Sequence, residues 1–198
     1  MSALLPGFTE RRIRTSVGNA GATIHLEYAG EGPPVLLLHG YPETHVMWHK
    51  VAPQLARDYT VVCPDLRGYG DSSKPKGLPD HSNYSKRAMA QDMVEVMQAL
   101  GYRSFHLVGH DRGARVAHRL ARDHGARVKT LTVLDVSPTL KMYQSTNIQF
   151  AKAYYHWFFL IQEAPLPERM LEGHVPDYIL KRLGRGKSGL KYFDRRAV

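Results

Sequence analysis

The chain has 198 residues, enough for one large domain, and its 43% hydrophobic, 23% charged and 10% aromatic content is that of a globular protein with a buried core. No stretch approaches the roughly 18 apolar residues of a membrane span. The formal charge of +9 could suit nucleic acid, but the 27 Lys and Arg are scattered, without a basic run of about 5–8 residues.

A positive field that draws in small anions is the milder reading of the charge. "MSALLPGFTERR" lacks the basic start and long apolar core of a signal peptide, and a single cysteine, Cys63, excludes an internal disulfide. A cytoplasmic protein is expected, with neither membrane nor nucleic acid as a partner.

Two alternating runs, "RIRTSV" (12–17) and "TIHLEY" (23–28), joined through "GNAGA", predict a hairpin. "VLLLHG" (35–40) is continuously apolar, as a strand buried on both faces must be. Residues 43–57 read as a helix with Val46, Val51 and Leu55 inward. "YTVVCPDL" (59–66) is a further strand, followed by the turn-rich "RGYGDSSKPKGLPDHSN". From Tyr84 to Leu100 the apolar spacing becomes helical (Met89, Met93, Val96 or Met97, Leu100), with Gly101 where a helix-terminating glycine belongs. "FHLVG" (105–109), "ARVAHRLARDHG" (114–125) and "VKTLTVLDV" (128–136) read strand, helix, strand.

Strands alternating with helices predict an α/β fold, a mostly parallel sheet with helices on both faces, whose chemistry gathers beyond the carboxyl ends of the strands. His39, Asp65, Asp111 and Asp135 all fall there. Past Pro138 the rhythm stops, and aromatic-rich "NIQFAKAYYHWFFLIQ" (147–162) and "PERMLEGHVPDYILKRLG" suggest short helices. The expected division is a core over 1–138 and the start of a helical cap over 139–198.

"LVGHDRGAR" (107–115) has the outline of a nucleophile elbow, G-x-S-x-G, with Asp111 in place of serine. Flanking glycines relieve crowding at such a turn, and the helix N-terminus stabilises negative charge on the central side chain. A carboxylate needs no base to displace a leaving group from saturated carbon, and it forms an ester. Water must then attack that ester, with the charge held by an oxyanion hole. The backbone N–H groups of Arg112 and of Tyr41, in "HGYP", are the candidate donors. Arg112 and Arg115 beside Asp111 suit a small carboxylate, because guanidinium binds carboxylate through paired hydrogen bonds. The alternative is pairing with surface acids such as Asp123.

"LLLHGYPETHVMWHKVAP", "DLRGYGDS", "YSKRAMAQDM", "GHDRGARV", "VLDVSPT" and "YYHWFFLIQEAPLPE" together resemble, in order and across roughly the whole chain, the haloacetate (fluoroacetate) dehalogenases of the α/β-hydrolase superfamily. The resemblance implies Asp111 as nucleophile, Asp135 as the acid orienting a catalytic histidine, Arg112 and Arg115 as carboxylate clamp, and His156 and Trp157 as halide donors. It implies no cofactor and no metal, and its members tend to be homodimers. For His156 and Trp157 the residues alone favour packing among Tyr154, Tyr155, Phe158 and Phe159, although imidazole and indole N–H groups suit a leaving fluoride.

In this fold the histidine follows the acid. After Asp135 stand only His156 and His174, so the expected base, a third halide donor and the last core strands are expected beyond Val198. A chain without them is expected to stall at the ester and to expose a sheet edge. An epoxide hydrolase of the same fold, or a non-catalytic carboxylate-binding remnant, are the other readings. "HVMWH" lacks the Glu of a zinc helix, so His45 and His49 read as helix surface. "GRGKSG" (184–189) lacks the spacing and preceding strand of a phosphate loop. Asp65 reads as shaping its loop, with no base beside it.

Overall fold

In a computed structural model of the chain, the described residues are 4–16, 21–184 and 188–198. They divide into two compact units, Met1–Val136 and Ser137–Val198.

The first unit is built on a sheet of β1 (Thr9–Thr15), β2 (Ala22–Ala29), β3 (Pro34–Leu38), β4 (Thr60–Pro64), β5 (Phe105–His110) and β6 (Val128–Leu134), ordered β1-β2-β4-β3-β5-β6. β1 and β2 pair antiparallel, with Thr15 opposite Ala22 as the hairpin reading requires, although its turn (17–20) lies outside the described residues. β2 meets β4 antiparallel, and the pairings from β4 through β3 and β5 to β6 are parallel. The order steps outward from β3 in both directions, so the ends of β3, β4 and β5 bring the loops after His39, Pro64 and His110 together.

The strands of the sheet's centre feed two cores by strict alternation. Leu36 and Leu38 of β3 join α2 (Lys86–Ala99) and α3 (Asp111–Asp123), where Met89, Met93, Val96, Met97, Val116 and Leu120 are buried. Val35 and Leu37 face the other way, onto Leu5, Phe8, Trp48, Ala52, Val61 and Cys63. The apolar register of α2 is the one its sequence predicts, and Gly101 follows it with φ +88. Ser85 caps α2 by accepting from the Ala88 N–H.

The predicted helix over 43–57 is a 3-10 turn, His45–Lys50, followed by the single turn α1 (Ala52–Leu55). Its inward residues are Trp48, His45 and Ala52, with Leu55 half-buried against the same core as predicted, whereas Val51 is 45% exposed. A 3-10 turn replaces the α-helical period over 45–50, so the spacing counted from Val46 to Val51 fails.

The second unit holds α4 (Thr139–Gln144), α5 (Ile148–Ala153), α6 (Tyr155–Phe159), α7 (Leu166–Leu171) and α8 (Val175–Leu183). It contains no strand among its described residues, in line with the loss of strand rhythm after Pro138. Residues 185–187 of "GRGKSG" lie outside the described part.

Candidate active site

β5 runs into α3 through a bend at Asp111, whose φ of +44 is the left-handed conformation that a side-chain-bearing residue rarely adopts. The two glycines of G-x-D-x-G are demanded by close approach. A Cβ on Gly109 would stand 2.6 Å from the Gly113 carbonyl oxygen, and one on Gly113 would stand 2.4 Å from the carbonyl oxygens of both Leu38 and His39. Gly40 is a third: its Cβ would lie 2.7 Å from the Asp111 Cβ. The loop after β3 can therefore lie against the bend only as backbone. The Tyr41 N–H, one residue on, donates to Asp111 Oδ2 at 3.0 Å.

The bend has more partners than its motif announces. Glu43 Oε2 lies 2.9 Å from His110 Nδ1 and accepts the Gly40 N–H at 3.2 Å, joining the loop after β3 to the residue preceding Asp111. The hydrogen bond to Glu43 raises the His110 pKa above its ordinary value, burial opposes this, and the charges of Glu43, Asp111 and Asp135 add to it. The Arg112 guanidinium stacks over the Tyr41 ring at 5.6 Å. Arg115 is buried, and Asp123, the surface acid considered for it, is taken by Arg87 and Arg119. Lys86 adds a third cation to this neighbourhood: burial and the charges of Arg112 and Arg115 push its ammonium down to about 8, while Asp111 opposes the shift. Tyr69, whose hydroxyl pKa burial raises, feels Arg112 and Asp111 and stands edge-on to His39. None of Glu43, Tyr69 or Lys86 carries a sequence signal of its own. Apart from Gly40, their partners at the bend are 25 to 67 residues away.

Asp135 follows β6 with φ +49, exposed at the same end of the sheet as Asp111. His39 bridges neighbouring loops as a neutral ring: Nδ1 lies 2.9 Å from the Gly40 carbonyl oxygen, so it donates, and Nε2 accepts the Leu66 N–H at 3.0 Å. Burial lowers its pKa accordingly.

Asp65 is fully buried and does shape its loop, accepting the backbone N–H groups of His45 and Asp71. It is not without basic neighbours, however. His25, His39 and His45 all lie within 4.0 Å of its carboxylate. His45, read from sequence as helix surface, is 4% exposed. The helical assumption over 43–57 misplaced it, because a 3-10 turn has a different inward face.

Within the second unit, His156 and Trp157 are both buried. Trp157 packs against Tyr143, Phe150 and Tyr154, with ring centroids 5.8 to 6.3 Å apart. Arg182 of α8 places Nη2 3.2 Å from His156 Nε2. A guanidinium only donates, so Nε2 is the acceptor, and a neutral His156 carries its proton on Nδ1.

A strained carboxylate on a strand-to-helix bend, faced by a backbone N–H from the loop after a neighbouring parallel strand, defines an α/β hydrolase core. The family model for the alpha/beta hydrolase fold matches residues 33–175, and the chain belongs to that family. It is 51% identical over 193 residues to a fluoroacetate dehalogenase from Burkholderia sp., which covers 96% of this chain and 62% of that protein. It is 41% identical over 140 residues to a soluble epoxide hydrolase from Corynebacterium sp., 70% of this chain and 47% of that one. A crystal structure of an alpha/beta hydrolase from Nostoc sp PCC 7120, 53% identical, superposes with a TM-score of 0.85 over 96% of this chain and 68% of that one. The chain thus spans less than two thirds of the length of the two curated relatives. Among the described residues no helix is long and apolar enough to cross a membrane.

Proposed function

We propose that the chain carries the substitution half-site of a hydrolytic dehalogenase acting on small 2-haloacids such as fluoroacetate. The observation that carries this reading is the pairing of the bend at Asp111 with Arg112 and Arg115 in the following turn. Asp111 Oδ1 attacks the halogen-bearing carbon from the side opposite the halide, a carbon–oxygen bond forms as the carbon–halogen bond breaks, and the two guanidiniums hold the substrate carboxylate. The oxygen that stays behind, Oδ2, already receives the Tyr41 N–H at 3.0 Å. When water attacks the ester carbon, negative charge develops on that same oxygen, so Tyr41 and the Arg112 N–H serve as the oxyanion hole. Glycolate and halide are the products. In this reading Asp135 orients a base, and His156 and Trp157 donate to the leaving halide.

The ester-forming step needs no base; its hydrolysis does. Downstream of Asp135 this chain has His156 and His174, and if neither activates water the ester accumulates. Mass spectrometry of the chain after incubation with fluoroacetate, beside a fluoride electrode, is the test. A carboxymethyl group on the peptide containing Asp111, or released fluoride, both absent in Asp111→Asn, is the expected result. Neither product from the unaltered chain sinks the reading.

The likeness to the Corynebacterium enzyme favours a second reading, epoxide opening by the same carboxylate. Styrene oxide supplied in parallel separates the two, because an apolar epoxide gains nothing from a pair of arginines.

A further inference from the structure

The loop that carries Tyr41 is pinched at its base, because both of its ends are fastened to the two residues that follow β4. At its start, His39 Nε2 accepts the Leu66 N–H at 3.0 Å. At its end, the His45 backbone N–H donates to Asp65 Oδ1 at 2.8 Å, and the ring Nδ1 donates to the same oxygen at 2.9 Å. Residues 40–44 lie between, turned back by the Glu43 N–H donating to the Gly40 carbonyl at 3.1 Å. Glu43 ties this loop to His110, and Tyr41 presents its N–H to Asp111.

The two fastenings differ in charge. His39 is a neutral ring with both nitrogens bonded. His45 is set among carboxylates that favour its imidazolium. Nδ1 meets Asp65, and Nε2 lies 3.8 Å from Glu27 Oε1, a charge contact beyond hydrogen-bond reach. These three side chains belong to residues 0 to 4% exposed. Burial opposes a charge on His45, but the hydrogen bond to Asp65 and the charges of Asp65, Glu27 and Asp71 outweigh it and raise the pKa. Asp65 responds in the complementary direction. Burial works against its ionised form, yet hydrogen bonds from His25 and His45 and the charge of His45 hold its carboxyl well below the usual range.

The surroundings of the ring are negative on balance. From β2 come Glu27 and His25, whose ring centroid is 4.8 Å from that of His45. The segment after β4 brings Asp65 and Asp71, and the loop after β3 brings His39, kept neutral by burial. Cys63, opposite Glu27 in the β2–β4 register, stays a thiol because burial raises its pKa.

We propose that His45 is a positioning residue for the Tyr41 amide, holding it against Asp111 more firmly as the imidazolium between Asp65 and Glu27 than as the neutral ring. A neutral ring with its proton on Nδ1 still donates to Asp65, but without the charge that makes such a bond about twice as strong. The buried carboxylates also lose the cation that lies between them. The end of the loop is then held less tightly, and the Tyr41 amide with it. This stabilisation is complete below the unfolded value of 6.5 and is lost as pH rises through the higher folded value. Only the consequence for the ester rests on the reading proposed above: a slackened oxyanion donor slows hydrolysis of the ester at alkaline pH and leaves its formation unaffected.

The test follows the chain by NMR without substrate. The titration of the His45 ring and the exchange protection of the Tyr41 amide, corrected for the intrinsic pH dependence of exchange, are measured from about pH 5 to 10. A roughly tenfold loss of Tyr41 protection is expected, with a midpoint that coincides with that of the ring. His110, paired with Glu43, and Lys86 also titrate near the bend in this range, so variants decide the assignment. In His45→Asn, which keeps a donor for Asp65 but carries no charge, protection is flat with pH. In Glu27→Gln the ring midpoint and the protection midpoint move down together by roughly one pH unit. If His45→Asn does not fold, Glu27→Gln decides. The proposal is overturned by protection that stays constant through the His45 titration, by a loss that persists in His45→Asn, or by a protection midpoint that stays in place while Glu27→Gln moves the ring. None of these outcomes bears on whether Asp111 forms an ester, which mass spectrometry reads separately.

Discussion

Glu43 Oε2 and His110 Nδ1 lie 2.9 Å apart, which fastens the loop carrying Tyr41 to the residue immediately before Asp111. The same carboxylate accepts the Gly40 N–H, so one side chain sets the spacing between the Tyr41 amide and the Asp111 carboxylate. Because Glu43 stabilises protonated His110, the histidine titrates above 6.5 when folded. The stabilisation is complete below the unfolded value, near 6.5, and is lost as pH rises through the elevated folded value. In Glu43→Gln the His110 titration, followed by NMR, falls toward 6.5. The variant is less stable by roughly 1 kcal/mol at pH 6, and the gap to the unaltered chain narrows toward pH 9. A gap independent of pH would show that the pair's charge contributes nothing.

Gly113 is irreplaceable for a reason that has nothing to do with φ. A methyl group there meets two carbonyl oxygens of β3 and its loop at 2.4 Å, and backbone cannot yield as a side chain can. Gly113→Ala is expected to lose about 1–3 kcal/mol in denaturant unfolding. Gly125 has nothing within 4 Å of its Cβ position, and Gly125→Ala should stay within about 0.5 kcal/mol of the unaltered chain.

The elbow was legible because its constraint is local: glycine, carboxylate and glycine occupy five consecutive residues between an apolar run and a helix. The strands were legible for the same reason, since burial on two faces leaves continuous apolar runs such as that of β3. What sequence did not reveal are the partners brought in by pairing of distant segments. Glu43 reads as the first residue of a helix until β3 and β5 lie side by side and bring His110, 67 residues away in sequence, to its carboxylate. His25 and Asp65 become neighbours only because β2 pairs antiparallel with β4, placing Leu26 opposite Pro64, and His45 joins them through its backbone N–H bond to Asp65. The error at His45 was of period. An i, i+4 count assumes an α-helix, and the segment is a 3-10 turn.

Arg67 and Asp92 form a buried pair that the "DLRGYG" motif does not advertise. Arg67 Nε and Nη2 donate to the two oxygens of Asp92 at 2.5 and 2.6 Å, Nη1 donates to the Asn83 carbonyl, and both side chains are almost fully buried. The Thr15 hydroxyl also donates to Asp92. The pair joins α2 to the segment after β4. Arg67→Met strands an anion in the core and should cost about 3–5 kcal/mol in chemical unfolding. Asp92→Asn combined with Arg67→Met, which removes both charges, should recover part of that loss. No recovery would mean that packing, rather than charge, is what the pair supplies.

Lys86 gives the proposed anion site a pH dependence that can be measured apart from turnover. Burial holds its ammonium near 8, and the charges of Arg112 and Arg115 add to the depression. Arg115→Gln should therefore raise the Lys86 pKa toward 10.5, read from its side-chain NMR titration. The same substitution should weaken capture of a small carboxylate such as glycolate by roughly tenfold, the loss of one charge-assisted contact. In the unaltered chain that affinity should fall as pH passes 8 and Lys86 loses its charge, and Lys86→Met should abolish this fall while keeping most of the affinity below it. If the fall persists in Lys86→Met, the titrating group lies elsewhere. If Arg115→Lys binds glycolate as tightly as arginine does, the forked contact to the carboxylate is absent, because an ammonium supplies charge but not two parallel hydrogen bonds.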